Sequence, residues 1–464
     1  MKLAKSLLLG TAATLVATAG AYAADLPSKK AAPVNYVKVC DAYGAGFFYI
    51  PGTDTCIKIG GRVRADYSYS QAKDLMTVSG GAVTLKTSAD AQNLFGSEVR
   101  GRLDLDARTA TPYGTVQAVA SIRLARTTGV LAETSVQSDP DKQNTAGLLT
   151  INSSAAGATL EAAYIRFAGF TFGNSRDNFA FMPSIFYGAG HWPSFANGTN
   201  NIAYTAALGG GISATVALQD PAFTALKPLD GGVAGDPFYR YSGIPQVNVR
   251  LDWDQSWGNI AVKGATLRYD LVDGTLASGI PQASHSKQVW AIGAGMKVNL
   301  PMIAAGDALW LDANYADGMT EYTINWGGNK SSDTKRNISG LGFNPASVID
   351  YANGIQSVKS WNVAMNFQHW FAPQHRTTFL ATYGGFKAPA AAKALAWDGK
   401  KGFGDGTVWN VGAQYAFVPT SNFEIGIEAL YARMKQDVAL TAGGTVLSKS
   451  DGAWTGRIRA ERTF

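Results

Sequence analysis

The sequence predicts a transmembrane antiparallel β-barrel, and three observations lead to that fold class. Polarity alternates with a period of two along many segments, most clearly in residues 454–464, and this period is typical of strands. Charged residues in the segments 57–69 and 95–110 fall on one parity, and the connections alternate between short turns and long loops. Strands with lipid on one face and water on the other explain the alternating polarity and the shared parity of the charges. A bacterial outer-membrane barrel explains the alternation of short turns and long loops.

Residues 1–23 predict a secretory signal peptide. Lys2 and Lys5 form a basic start, residues 7–20 are apolar or small, and residues 21–23 form an A-x-A cleavage sequence. The segment is too short and too weakly apolar for a membrane-spanning helix. We therefore expect cleavage after residue 23 and leave the segment out of the fold.

The composition fits a barrel without proving one. Charged residues make up 16% of the chain and aromatic residues 11%, and there are 52 glycines; charged residues in a soluble domain are usually about 25%. After the amino terminus no apolar run reaches the length of about 18 residues that a spanning helix needs. Composition by itself leaves a large secreted β protein as an alternative. Basic residues alternate with acidic ones and form no stripe, which argues against nucleic-acid binding.

Residues 24–56 predict an irregular periplasmic extension. The two cysteines of the chain, Cys40 and Cys56, both lie in it. An even count in an exported chain suggests a disulfide, whose loop would stabilise the fold by roughly 3 kcal/mol. Two thiols and four histidines in the whole chain give little support for a metal site, and nothing indicates a cofactor.

Residues 57–464 predict sixteen strands. All the charges in residues 57–69 and 95–110 occupy even positions, as expected if they avoid lipid, since Arg or Lys at mid-bilayer costs about 2–4 kcal/mol. The predicted strands are 57–69, 95–110, 115–126, 158–167, 170–174, 200–207, 212–219, 245–254, 259–269, 287–299, 308–316, 358–370, 375–386, 407–417, 422–433 and 453–464.

The connections between the predicted strands sort into two lengths. Short turns contain turn-forming residues and lie at 111–114, 208–211, 255–258, 371–374 and 418–421. Long segments lie at 127–157, 220–244, 317–357 and 387–406. Short periplasmic turns opposite long outer loops are typical of bacterial barrels, whereas a soluble sandwich has no need to sort its loops in this way.

Seven arginines are predicted to form a patch on one wall of the lumen. Strands 16, 1, 2 and 3 become neighbours when the barrel closes, and these arginines lie near mid-height with inward parity: Arg457, Arg459, Arg62, Arg64, Arg100, Arg102 and Arg123. Arginines in a narrow aqueous passage attract anions. Five acids lie nearby: Asp66, Glu98, Asp104, Asp106 and Glu461. The alternative is therefore a neutral lattice of salt bridges that stiffens the wall.

The outward positions of strands 16 and 1 to 3 are often small. Examples are Gly61, Ala65, Gly101, Ala107, Ala118, Ala120, Gly456 and Ala460. Small residues let backbones approach closely, so these strands are predicted to form the contact between protomers. Strands 8, 12, 14 and 15 carry larger apolar residues outward and are predicted to face lipid.

Three segments resemble the alphaproteobacterial porin family known from rhizobia and their relatives. They are Val39-Cys-Asp-Ala-Tyr-Gly-Ala-Gly-Phe-Phe-Tyr-Ile-Pro-Gly-Thr-Asp-Thr-Cys-Ile-Lys-Ile-Gly-Gly-Arg-Val-Arg64, Phe167-Ala-Gly-Phe-Thr-Phe-Gly173 and Arg459-Ala-Glu-Arg-Thr-Phe464. The resemblance implies a trimeric, 16-stranded diffusion porin among the lipids and lipopolysaccharide of the outer membrane. It also implies that the third long loop, here 174–199, narrows the lumen, and that the barrel assembly machinery recognises Phe464.

This third loop departs from the pattern of many porins. Arg176 and Asp177 are its candidate constriction residues, but Asp177 is its one carboxylate before residue 199, so a strong transverse field is not expected. Four inward acids on other strands are candidates for the acidic side: Asp252, Asp254, Glu424 and Glu428. The sequence therefore predicts weak charge selectivity with a slight preference for anions.

Three other functions fit less well. An enzyme is not expected, because none of the four histidines lies beside an evident Ser and carboxylate motif. An energy-coupled transporter would need about 22 strands and a plug, and residues 24–56 are too few for a plug. A structural barrel that touches peptidoglycan through Lys29 and Lys30 stays open, and channel conductance would distinguish it from a porin.

Overall fold

The computed structural model describes most of the chain. The described residues are 38–71, 75–79, 82–87, 94–129, 154–183, 185–187, 198–220, 226–228, 239–241, 244–271, 274–275, 281–282, 285–324, 347–350, 354–390, 393, 402–439 and 446–464. The predicted signal peptide and residues 24–37 lie outside them. The chain divides into two units, 1–56 and 57–464. Among the described residues, no helix combines the length and hydrophobicity needed to cross a membrane.

Sixteen antiparallel strands form the barrel, which confirms the predicted fold class and strand count. They are β1 Cys56–Ser70, β2 Phe95–Thr111, β3 Gly114–Thr128, β4 Ser154–Phe167, β5 Phe170–Arg176, β6 Gly198–Gly209, β7 Ile212–Gln219, β8 Gln246–Gln255, β9 Gly258–Leu271, β10 His285–Asn299, β11 Ala308–Asp317, β12 Lys359–Ala372, β13 His375–Lys387, β14 Gly402–Thr420, β15 Phe423–Ala439 and β16 Val446–Thr463. Several run further toward the long loops than predicted; β16, for example, begins seven residues before position 453.

Each strand pairs with its neighbours in sequence, and β16 pairs with β1 to close the sheet. The closing register sets Arg62 opposite Thr463 and Ala65 opposite Ala460. The backbone groups of Gly61 and Phe464 exchange two hydrogen bonds of 3.0 Å. Closure leaves the barrel without a free edge at this seam.

Short elements accompany the barrel. The described ones are 3₁₀ turns at Asp41–Tyr43 and Thr320–Tyr322 and short strands at Phe47–Tyr49, Leu75–Ser79, Ala82–Thr87, Leu226–Pro228, Tyr239–Tyr241, Gly274–Thr275, Pro281–Gln282, Ser347–Asp350 and Gly354–Ser357. Tyr239–Tyr241 extends the sheet beside the outer end of β9. In the first unit, Cys40 and Cys56 form the predicted disulfide and pack with Phe47.

The two faces of the strands differ as the alternation predicts. On β1, Val63 and Tyr67 are exposed, whereas the intervening Arg64, Asp66 and Ser68 are buried. The same alternation of exposed apolar and buried polar side chains recurs on β12, where exposed Val363 lies between buried Asn362 and Ala364. The outer face thus suits lipid and the polar face lines the interior.

Candidate pore constriction

The connection between β5 and β6, residues 177–197, is called loop 3 below. Its described parts, 177–183 and 185–187, contact the inner wall of the barrel. Phe179, Phe181 and Phe186 are all buried there. A loop that buries three phenylalanines against inward strand faces occupies the lumen, as the resemblance implies.

Asp177 fixes the start of loop 3. Its carboxylate accepts hydrogen bonds from the backbone N–H of Phe179 at 2.7 Å, from Gln219 Nε2 at 3.0 Å and from the Tyr322 hydroxyl at 3.0 Å. The sequence predicts that Asp177 lines the constriction, but its side chain is buried. Burial raises the pKa of this carboxyl, and the hydrogen bonds oppose that shift. Asp177 is therefore an anchor of the loop, because its oxygens are used by protein donors.

Aromatic side chains hold the middle of loop 3. Phe179 stacks on Tyr322 with ring centroids 4.3 Å apart. Phe181 packs with Met182 and Ala364, over Gly295, where an added Cβ would collide with the Phe181 ring. Each buried phenylalanine contributes about 1.5–3 kcal/mol. The absence of a side chain at Gly295 therefore leaves the space on the wall that the Phe181 ring fills.

Two arginines outside loop 3 support its backbone. Arg176 Nη2 donates to the carbonyl oxygen of Met182 at 2.7 Å, and Arg250 Nη1 donates to that of Ala180 at 2.8 Å. These bonds satisfy buried carbonyl groups that would otherwise lose their hydration. Arg176, a predicted constriction residue, thus contacts the loop itself.

The far end of the described loop is bound by three strands. The carbonyl oxygen of Tyr187 accepts hydrogen bonds of 2.9 Å from both Arg457 and Arg459. Its N–H donates to Glu428 at 2.5 Å. Gln414 Nε2 donates to the neighbouring Ile185 carbonyl oxygen at 3.0 Å. Two of the seven predicted arginines therefore hold loop 3 against β14, β15 and β16.

The predicted arginine patch exists as a lattice of ion pairs. Arg459 holds Asp66 through Nε at 2.6 Å and Nη2 at 2.8 Å. Arg64 lies 3.3 Å from Asp66 and 3.2 Å from Glu98. Arg100 lies 2.8 Å from the same Glu98. The structure therefore brings the arginines of β16, β1 and β2 together, but it engages them in ion pairs with carboxylates. This arrangement is the salt-bridge lattice that the sequence offers as the alternative.

Glu161 on β4 extends this lattice, and the sequence did not indicate it. Its carboxylate lies 3.2 Å from Arg123, 3.3 Å from Arg102 and 3.7 Å from Arg100. Next to it the β3–β4 register shifts, because Ser121 pairs with residue 162 whereas the next residue pairs with Leu160. This is a β-bulge, which changes the face on which side chains lie.

The rule that even and odd positions of a strand lie on opposite faces fails at this bulge. Leu160 and Ile165 are both half exposed on the outer face although one position is even and the other odd. The extra residue is Glu161, which turns to the inner face. A bulge leaves no clear mark in a single sequence, so the parity rule placed Arg123 correctly but missed its partner.

The described lattice has a small positive excess. Its seven arginines face six carboxylates when Glu428, directly opposite Arg457 on the neighbouring strand, is counted, which leaves one positive charge. Carboxylates outside these ion pairs are also engaged: Asp252 on β8 lies 2.6 Å from Arg250, and Glu424 on β15 lies 2.9 Å from Arg376. Paired charges produce a weak field across the lumen, especially at physiological ionic strength.

The connection after β11 also enters the lumen, which the sequence did not predict. Met319, Glu321 and Tyr322 are buried, and Tyr322 reaches Asp177 of loop 3. Burial raises the pKa of Glu321 to about 8, and the nearby Asp177 carboxylate contributes to the shift. The apolar residues of 319–324 inside a long polar loop were the available sequence indication.

The closed barrel, its apolar outer band and its polar, loop-narrowed interior define a class: an outer-membrane β-barrel channel. The crystal structure of the outer membrane channel DcaP of Acinetobacter baumannii has the same fold. It superposes with a TM-score of 0.59 at 16% identity, over 90% of this chain and 99% of that one.

Sequence comparison gives the family. Residues 25–456 match the model described as the Porin subfamily, and the chain belongs to that family. Porin Omp2b of Brucella suis biovar 1 (strain 1330) is 31% identical over 343 residues, which cover 72% of this chain and 82% of the relative. Porin Omp2b of Brucella abortus (strain 2308) is 30% identical over the same shares. The protein is a porin of the outer membrane, a water-filled channel for diffusion of small hydrophilic solutes.

Proposed function

We propose that this porin is weakly selective and slightly prefers anions. The supporting observation is the excess of one positive charge in a lattice that is otherwise paired. Loop 3 is bound to β8 by Arg250 and to one end of this lattice by Arg457 and Arg459, so we place the solute path beside the lattice arginines of β1 to β3. A small excess at a narrow point favours anions modestly because water and salt screen it.

The test is the reversal potential of single channels in a salt gradient. The double variant Arg64→Ala/Arg102→Ala removes two positive charges and changes the formal charge of the lattice from plus one to minus one. We expect its permeability ratio to move toward cations. An unchanged ratio, in channels of normal conductance, would contradict the assignment of the lattice as the selectivity element.

We also propose that the protein is a homotrimer whose contact includes β16 and β1 to β3. An added Cβ at Gly101 would meet no atom of this chain within 4 Å. The small size of Gly101 is therefore not required by packing within the protomer. Ala65 pairs with Ala460, and Ala107 with Ala118, so outward alanines face each other across two strand pairs.

Cross-linking tests the trimer. Single cysteines at Ala65 and at Ala118 should each give covalent oligomers in the outer membrane, while a cysteine at Val363 on the predicted lipid face should not. Monomer at both contact sites would exclude this interface.

Three further functional assignments are part of the proposal. Diffusion is the activity, rather than catalysis, in agreement with the family and its porin relatives. Recognition of Phe464 by the barrel assembly machinery rests on its exposed side chain directly after the closing strand, where its backbone is held by Gly61. Contact of Lys29 and Lys30 with peptidoglycan stays a prediction, since both lie outside the described residues.

A further inference from the structure

A short buried segment follows β11 at the end of the barrel that carries the long loops. We call residues 318–324 the inner strap. Residues 319–324 are each at most 9% exposed, although they lie in a long connection between strands. The backbone N–H groups of Thr323 and Ile324 donate to the Thr320 carbonyl oxygen at 3.1 and 2.8 Å. The strap is therefore a folded element of the barrel interior.

Hydrogen bonds attach the inner strap to two strands that are not neighbours. Gln246 Nε2 on β8 donates to the Tyr322 hydroxyl at 2.5 Å. The hydroxyl groups of Thr323 and of Ser360 on β12 share a hydrogen bond of 2.5 Å. The strands β9, β10 and β11 lie between these two attachment points in the sheet. The strap therefore crosses over three strands near their loop ends.

The wall beneath the inner strap is largely apolar. Five buried side chains of β9–β11 pack in one cluster with Met319 and Tyr322 of the strap: Leu267, Tyr269, Val289, Ala291 and Ala316. A barrel wall that faces a water-filled lumen is normally polar, and exposing apolar surface to water is unfavourable. The strap therefore keeps water and solutes away from this part of the wall.

Gly318 allows the chain to turn from the end of β11 into the lumen. Its φ of +82° lies in the left-handed region, which favours glycine. A Cβ at this position would also collide with the Val289 side chain. The substitution Gly318→Ala should therefore displace the start of the strap.

Glu321 supplies the carboxyl group of the inner strap. Its side chain is buried, and Oε1 has no hydrogen-bond partner among the described residues. The elements packed against the strap carry these charged or titratable groups on their inner faces: Asp177 of loop 3, Arg250 of β8, Lys263 and Tyr269 of β9, Lys287 of β10 and Asp312 of β11. Burial, together with the Asp177 carboxylate, raises the pKa of Glu321 to about 8.

The docked strap therefore favours the neutral form of Glu321. A glutamate in water loses its proton near pH 4.5, whereas the docked strap retains the proton to about pH 8. The stability of the docked strap is thus complete below about pH 4.5 and declines as the pH rises toward about 8. Above that pH the strap holds a buried carboxylate, which is costly without a partner.

We infer that the inner strap is a second constriction of the channel, on the outer side of loop 3, and that ionisation of Glu321 releases it. The inference rests on the proposed diffusion function, since a constriction acts only in a channel that solutes cross. The docked strap closes off the wall of β9–β11 and leaves the passage beside the arginines of β1 to β3. Release of the strap uncovers this wall and widens the outer half of the passage.

Thiol labelling tests the release without any need for channel activity. Cys40 and Cys56 form a disulfide, so Ala316→Cys introduces a single free thiol beneath the strap. Its rate of reaction with a trimethylammonium methanethiosulfonate is compared with the rate in Ala316→Cys/Glu321→Gln at the same pH. A pKa that rises from 4.5 to about 8 predicts that Glu321→Gln slows labelling up to about 3,000-fold at pH 9 and about fourfold at pH 5.

The matched labelling control is Ser213→Cys, on the inner face of β7 opposite Asp252 and away from the strap. Its labelling rate should be the same with and without Glu321→Gln. Equal rates for Ala316→Cys in the two backgrounds at pH 9 would overturn the release by Glu321. A change at Ser213→Cys as large as the change at Ala316→Cys would also overturn it, because the whole barrel would then have opened.

Single-channel recordings with neutral polymers on the loop side test the constriction. Gly318→Ala should raise the polymer size limit at pH 5, where the wild-type strap is docked. The matched control is Gly209→Ala, because Gly209 has a similar φ of +88° but no atom within 4 Å of an added Cβ, and its limit should equal that of wild type. An unchanged limit for Gly318→Ala, or an equal increase for the control, would overturn the constriction. Wild-type protein without channels would instead contradict the diffusion function, and the labelling rates would still decide the release.

Discussion

The substitution Glu161→Gln should make the channel more selective for anions. Glu161 is the shared partner of Arg100, Arg102 and Arg123. Neutralising it raises the positive excess of the lattice from one to two without removing an arginine. The glutamine has nearly the same shape, so the bulge and the wall should be preserved.

The size of the effect follows from Coulomb's law. One unit charge acting on an ion about 8 Å away in water contributes about 0.5 kcal/mol, which screening at about 0.1 M salt reduces to about 0.2 kcal/mol. The anion is favoured and the cation disfavoured by the same amount. The ratio of anion to cation permeability should therefore rise about twofold at 0.1 M salt and about fourfold at 0.01 M.

The assay is the reversal potential across a planar bilayer at these two salt concentrations. Asp106→Asn is the matched control, because Asp106 pairs with Arg108 at 2.7 Å nearer the periplasmic end of β2. It removes the same charge away from the Glu161 cluster and should have a smaller effect. Equal changes in the permeability ratio for the two variants would refute the reasoning. So would a change for Glu161→Gln that is no larger at low salt than at high salt.

Three further outcomes are expected. The pKa of Glu321 is raised to about 8. As the pH rises from about 4.5 to 8, the turn that contains Glu321 should therefore lose about 1.4 kcal/mol of local stability per pH unit. Amide hydrogen exchange in this turn should increase more over this pH range in wild type than in Glu321→Gln. Gly295→Val should displace Phe181 and enlarge or destabilise the single-channel current, whereas Gly157→Val, with no atom near the added Cβ, should not. Cys56→Ser should lower the free energy of unfolding by roughly 3 kcal/mol, measured by denaturant titration. Equal denaturant midpoints for the variant and the wild type would contradict this prediction.

Periodicity predicted the barrel because lipid imposes a strict rule on one face of each strand. A misplaced charge at mid-bilayer is costly, so polarity alone placed Arg64, Arg102 and Arg459 on the inner wall. The same rule located all sixteen strands, since each must cross the same thickness of membrane.

The interior was less predictable because its packing is local and three-dimensional. The pairing of Glu161 depends on a bulge, and the burial of Asp177 depends on Tyr322, which comes from a loop 145 residues away in sequence. Parity states which face a side chain occupies but not which partner it meets. The arginines were therefore found from sequence, and their pairing was one of two alternatives, but the individual partners were not predicted.

Single-channel conductance with graded neutral polymers tests most directly whether this chain forms a water-filled pore narrowed by loop 3. Small polymers should enter the pore and lower the conductance, while larger ones should be excluded and leave it unchanged, with a sharp size limit. Removing the contacts of Ile185 and Tyr187 with β14 and β15 through Gln414→Ala/Glu428→Ala should move that limit to larger polymers. A folded wild-type protein that gives no channels, or a size limit unaffected by this variant, would contradict the account.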